Sequence, residues 1–205
     1  MCVVFASEFF SALVPATVAL FIIVDPFGNI PIFISLTEKV EPARRNKVFN
    51  LATLVGFVLL LFFAFLGQEV LAIFGLSIYA FGIAGGILLL IISVRILVTG
   101  SMHEASDSPE SLGAVPIAMP LLVGPGAITT TIFNLQSYGI AVSIAAVLIV
   151  LSVTWVILRF INRIYRVLGK TGALVIARVM ALFIAAIAIQ YILTGATHFI
   201  EIGHT

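Results

Sequence analysis

Apolar positions in this chain come in long blocks, with no strand-like alternation and no two-faced helical rhythm. Residues 50–66, 71–94, 139–158 and 172–193 are almost unbroken runs of Leu, Ile, Val, Phe, Ala and Gly. Each approaches or exceeds the ~20 residues that cross a hydrocarbon core as a helix. Two further segments, around 13–36 and 115–135, are equally apolar but interrupted by Pro, Gly and polar residues. The pattern predicts an all-α integral membrane protein of six transmembrane helices, with the first and fourth broken.

Composition agrees. The 205 residues are 62% hydrophobic and 9% charged, too little charge to cover a soluble domain of this size. The mean hydropathy is +1.28. A net charge of +1 offers no basic face for nucleic acid, and the single cysteine, Cys2, excludes an intrachain disulfide and a Cys-cluster metal site. No Lys or Arg precedes the first apolar run, so no cleaved signal peptide is expected. The three His lie at span ends or near the C-terminus without a second ligand at metal spacing, so neither a metal nor a cofactor is expected.

Charge adds orientation. All ten Lys and Arg residues, from Lys39 to Arg178, lie in or beside the first, third and fifth loops between six spans. Positive residues stay in the cytoplasm, which predicts a multi-pass cell-membrane protein with both termini outside. Trp155 and Tyr165 flank the inner end of the fifth span as interfacial anchors. Arg95 and Arg178 sit close enough to that side to snorkel.

Two stretches repeat. Residues 95–103 read "RILVTGSMH" and 191–198 read "YILTGATH". "VDPFGN" at 24–29 is matched by "VGPGAI" at 123–128, with Pro15 and Pro116 upstream. The whole chain, 1–205, therefore reads as one transmembrane domain: repeat A (1–103), a cytoplasmic loop (100–114) and repeat B (115–205). Three spans per repeat is odd, so the copies must be inverted. Inverted repeats with Gly/Pro-interrupted spans at matching places are the sequence pointer to a secondary transporter and its central site.

Pro26 and Pro31 lack amide protons and clash with the preceding turn, and a straight helix over 9–37 would be roughly 43 Å long. The first span must therefore break. Asp25 followed by Pro26 reads as an N-cap and first helical residue. In the second half Pro120, Gly124, Pro125 and Gly126 interrupt the fourth span, and Thr129, Thr130 and Thr131 open a half-helix with hydroxyl donors. Two half-helix N-termini near the midplane suit a small zwitterion. One takes its carboxylate; Asp25, Asn29 or free carbonyls take its ammonium. Asp25 is the one acid plainly at membrane depth, where an ionised carboxylate needs a partner. It either caps the broken helix or carries the coupled proton, and the two roles are compatible. Thr53, Ser77, Ser93, Asn134, Ser143, Ser152 and Thr154 read as interhelical hydrogen-bonding groups, "GIAGG" at 82–86 as a close-packing face, and Gln190 as the bulky polar residue to watch.

"DPFGNIPIFISLT" (25–37), "AVPIAMPLLVGPGAITT" (114–130) and "IAIQYILTG" (187–195) resemble the MarC family of bacterial and archaeal inner-membrane proteins, over essentially the whole chain. That family includes SnatA-like carriers of glycine and other small neutral amino acids driven by the proton gradient, and it is distantly similar to LysE-type exporters. The resemblance implies an amino-acid transporter. It points to Asp25, Pro26, Gly28, Asn29, Pro31, Gly124, Pro125, Gly126 and Thr129 as motif positions.

The reading is a secondary active transporter of small neutral amino acids such as glycine and alanine, coupled to protons or, in their place, sodium. Asp25, Pro26, Gly28, Asn29, Gly124, Pro125, Gly126, Thr129 and Thr130 are the expected substrate residues, with Asp25 also the coupling residue. The expected partners are the amino acid, the proton and the bilayer, with homo-oligomerisation open. Alternatives are an exporter of amino acids or drugs, a passive channel and a non-transporting membrane protein. An intramembrane hydrolase lacks a second carboxylate or a Ser–His or Ser–Lys pair at depth, so no enzyme activity is expected.

Overall fold

The computed structural model describes residues 2–37, 41–99 and 123–202, and every regular element within them is an α-helix. These are α1 (Cys2–Val24), α2 (Ile30–Thr37), α3 (Pro42–Ile73), α4 (Ile78–Thr99), α5 (Pro125–Arg159) and α6 (Ile161–Ile202). Helix starts follow local chemistry. Pro42 and Pro125 occupy the first helical position, where a missing amide proton costs nothing. α3 closes at Gly75, which takes φ +66°, while the Leu76 N–H donates to the Leu71 carbonyl at 2.9 Å. Ser77 then caps α4, its Oγ accepting from the Ala80 N–H at 3.1 Å.

Among the described residues, five helices are long and apolar enough to cross a membrane. The expected sixth crossing is not among them, for two reasons. The 100–114 loop and the start of the fourth expected span, including Pro116 and Pro120, lie outside the described residues. The described remainder of that span runs on into the fifth within α5. The first expected span also differs in form. The sequence predicts one helix broken midway, but α1 is complete at 23 residues with Pro15 inside it, and the break follows its end. α2, with eight residues, is only ~12 Å long.

α5 doubles back. Gly139 has φ 80° and ψ 172° within it, and the Ser143 hydroxyl donates to the Thr131 carbonyl at 3.2 Å. Twelve residues along a straight helix would separate these groups by ~18 Å. Residues 125–138 and 140–159 are therefore two arms of a helical hairpin with Gly139 at its tip. α6 is similarly bent at Gly169, with φ 64°.

α5 is the hub, touching α1, α3, α4 and α6, while α4 lies along α6 and α2 packs on α6. Glycines set the closeness. A Cβ on Gly82 would meet the Phe133 ring, one on Gly85 would meet Thr129, and one on Gly86 would meet the Ala188 carbonyl of α6. Within a bilayer lipid is as apolar as the helices, so such close approach is what holds them together. The 82–86 stretch is thus a packing face, as its sequence predicts.

Of the groups read as interhelical, Asn134 fits: its Nδ2 donates to the Ala16 carbonyl of α1 at 3.1 Å. Ser143 joins the two arms of α5. Thr53, Ser93 and Thr154 instead donate to Phe49, Leu90 and Val150 of their own helices.

Candidate functional site

α1 and the first arm of α5 run antiparallel, since Asn134 meets Ala16 while Gly126 meets Ile23. This arrangement brings the end of α1 beside the start of α5. The two sequence breaks, 24–29 and 123–126, consequently adjoin.

On the first side, Asp25 ends α1. Its N–H donates to the Phe21 carbonyl at 3.0 Å, continuing the helical ladder, but its φ is +43°. That is an uncommon region for a residue other than Gly, though Asp and Asn tolerate it better than most. The reversal sends the chain into a turn over 26–29. There the Asp25 Oδ1 accepts from the Gly28 N–H at 3.0 Å, and the Asp25 carbonyl accepts from the Asn29 N–H at 3.2 Å. These are the bonds of an N-cap with Pro26 in the next position. The capping geometry expected of Asp25–Pro26 is present, with one difference: it caps a turn, and α2 begins only at Ile30. Asp25 and Asn29 are each 2% exposed. Asn29 Nδ2 donates to the Val24 carbonyl at 3.2 Å, and a Cβ on Gly28 would strike the Asp25 carboxylate. Pro26 is buried in the same turn.

On the second side, Gly124 is half-buried, and its carbonyl accepts from Ala127 and Ile128 at 3.0 and 3.2 Å. Pro125 is exposed. Gly126 is buried where a Cβ would meet Leu89 of α4 and Ile23 of α1. Thr129, Thr130 and Thr131 are buried, and their hydroxyls donate at 2.8 Å to the carbonyls of Pro125, Gly126 and Ala127. The hydroxyls expected to face a solute as donors are therefore satisfied four residues back along their own helix. What they present outward is an oxygen lone pair.

Tyr191 of α6 is buried beside this helix. The Tyr191 ring stacks on Phe133 at 4.4 Å and 12°. The stack holds α6 against the first arm of α5. Sequence reasoning singled out its neighbour Gln190, which is exposed and bonds Thr194 on its own helix at 3.3 Å. The signal for Tyr191 was its hydroxyl inside an apolar run, where a buried phenol needs a partner.

The site thus joins two breaks whose polar groups are bonded within their own segments, packed across one apolar contact and held by α1, α4, α5 and α6. Asp25 is its carboxylate.

Comparison with known proteins decides the family. A model of MarC family integral membrane proteins matches residues 10–200. This chain belongs to the MarC family. A UPF0056 membrane protein of Archaeoglobus fulgidus is 40% identical over 188 residues, covering 86% of this chain and 88% of the relative. The UPF0056 membrane protein YhcE of Escherichia coli is 38% identical over 87% of this chain and 88% of its own length. The inner membrane protein YhgN of Escherichia coli is 32% identical over 89% of this chain and 95% of its own. No solved structure matches. The MarC chain described here is accordingly an integral, multi-pass membrane protein, and both quoted break motifs lie inside the matched region.

Proposed function

We propose that this MarC protein is a secondary active transporter of small neutral amino acids, with its substrate site between the two breaks and Asp25 as the coupled proton carrier. The observation that carries the reading is the apposition of Ile23 and Gly126, which sets the Asp25 turn beside the start of α5. The carboxylate of the solute takes the amides that head α5, a helix N-terminus being a natural anion site. Its ammonium takes Asp25, Asn29 or the Val24 carbonyl. The Asp25 turn and α5 belong to the two inverted repeats, and alternating access is the rocking of one against the other. Each break satisfies its own polar groups, so the resting contact closes without a solute and opens by exchanging internal bonds for solute bonds. The close Gly126–Ile23 and Gly85–Thr129 approaches favour a solute of glycine or alanine size over an amphiphilic drug. The protein acts without enzymatic chemistry.

Counterflow in proteoliposomes with labelled glycine and alanine, with and without a pH gradient, tests this. Uptake above empty liposomes, accelerated by the gradient, is expected. No uptake removes the transport reading; a sodium requirement without proton dependence removes the coupling alone.

A further inference from the structure

Between α3 and the second arm of α5 lies an open groove of about 550 Å³. Asn50, Thr53, Leu54, Phe57, Ser152 and Trp155 are among its lining, and none of them belongs to the two breaks. Its flanks are apolar and outward-facing: Leu51, Leu54, Val58, Val153 and Val156 are all exposed. In an integral membrane protein such a surface faces acyl chains, so the groove opens toward lipid.

The groove has a polar end. There Trp155 Nε1 donates to Asn50 Oδ1 at 2.8 Å, tying the two helices together. α3 runs parallel to the first arm of α5, Gly56 lying by Val123 and Gln68 by Gln136, so it is antiparallel to the second arm, which it meets at Asn50–Trp155. A step of one turn beyond the polar end therefore goes N-terminally on α3 and C-terminally on α5. On α3 it reaches Lys47 and on α5 Arg159, each on the same helix face as the lining residues and each exposed. Arg45 is engaged elsewhere, donating to the Thr37 carbonyl at 2.6 Å and to Asn162 at 3.1 Å. The order is thus apolar trough, then indole and amide, then two cations. It matches acyl chain, glycerol–ester region and phosphate.

We propose that this groove is a binding site for an anionic phospholipid, with one acyl chain in the trough and the headgroup phosphate between Lys47 and Arg159. Charge complementarity selects the occupant: a zwitterionic lipid offers the same chain, but two cations at the mouth favour net negative charge. Basic pockets between transmembrane helices commonly serve this purpose, and each Lys or Arg near an anionic headgroup is worth about a 5-fold preference. The site is independent of the transport reading and stands or falls without it.

Trp155 is the chain's only tryptophan, so its fluorescence reports on the groove directly. The full chain is reconstituted in phosphatidylcholine vesicles containing equal fractions of either brominated phosphatidylglycerol or brominated phosphatidylcholine. Phosphatidylglycerol is expected to quench Trp155 with roughly 5-fold or greater relative affinity. Lys47→Gln with Arg159→Gln should abolish that excess, and Ser152→Phe, which fills the trough, should remove it without touching charge. Equal quenching by the two lipids in the unaltered chain overturns the proposal without recourse to any variant. So does an excess that survives in the charge-neutralised chain. Quenching that rises alike for both lipids as protein is diluted in lipid also overturns it, because a second copy then covers the groove.

Discussion

Asp25 holds two positions at once, the last of α1 and the cap of the turn that follows, and this double duty forces its positive φ. The cap was legible because Asp before Pro is a helix-start signal. The φ was not, because that signal carries no information on how the preceding helix ends. Asn at this position tolerates the same backbone and can still accept from Gly28, yet it cannot hold or release a proton. Asp25→Asn is therefore expected to leave detergent-solubilised protein folded while abolishing acceleration of glycine uptake by a pH gradient. Full pH-dependent uptake by the Asn variant would leave Asp25 as a cap alone. Gly28 gives a complementary test, since its Cβ would occupy the carboxylate's place. Gly28→Ala should destabilise by more than the ~1 kcal/mol of a lost cap. At about 2–4 °C per kcal/mol for a chain of this size, thermal unfolding should report it. Tyr191 illustrates the opposite limit of legibility. Around Tyr191 α6 is apolar nearly all round, so beyond its hydroxyl hydropathy does not say which side faces α5. One position, a rotation of about 100°, separates the buried Tyr191 from the exposed Gln190.

α5 shows what hydropathy resolves and what it blurs. The fifth apolar segment begins at Gly139, and there the helix reverses. A sliding pattern of apolar residues nevertheless cannot distinguish a half-helix that turns back from a helix that crosses, because both are equally greasy. The same ambiguity made one broken span of α1 and α2, which are a full helix and a short one. Gly139 decides the hairpin by conformation, not by crowding: a Cβ there meets nothing within 4 Å, but φ is +80°. Gly139→Ala should thus cost ~1–3 kcal/mol. Gly172, inside α6, has only ordinary contact with Leu168 at 3.4 Å. Gly172→Ala should be neutral or gain up to ~1 kcal/mol from helix propensity. A thermal shift measured on the pair separates the two causes. Equal losses would show that crowding, not backbone, governs both sites.

Taken whole, the bundle is electrically lopsided along its axis. The start of α3 and the α5–α6 junction meet through Arg45–Asn162 and Asn50–Trp155, and Lys47, Arg159, Arg163 and Arg166 belong to these segments. The far end of α3 meets the hairpin arm through Gln68–Gln136 at 2.5 Å, without a Lys or Arg in either turn. Membrane character and family were legible at this scale because they rest on gross composition and two local motifs. The count of crossings was not, because it depends on where a chain turns back. The helix ends make the orientation testable. Ser137, beside the hairpin tip, and Val167, near the bend of α6, are both exposed and lie on opposite sides of this charge divide. With Cys2→Ser removing the only native thiol, Ser137→Cys should react with a membrane-impermeant maleimide added to intact cells. Val167→Cys should react only after the membrane is opened, because positive residues are retained in the cytoplasm. The reverse labelling would invert the protein. Labelling of both from outside would mean that the second arm of α5 does not cross, and the inverted-repeat topology would fall with it.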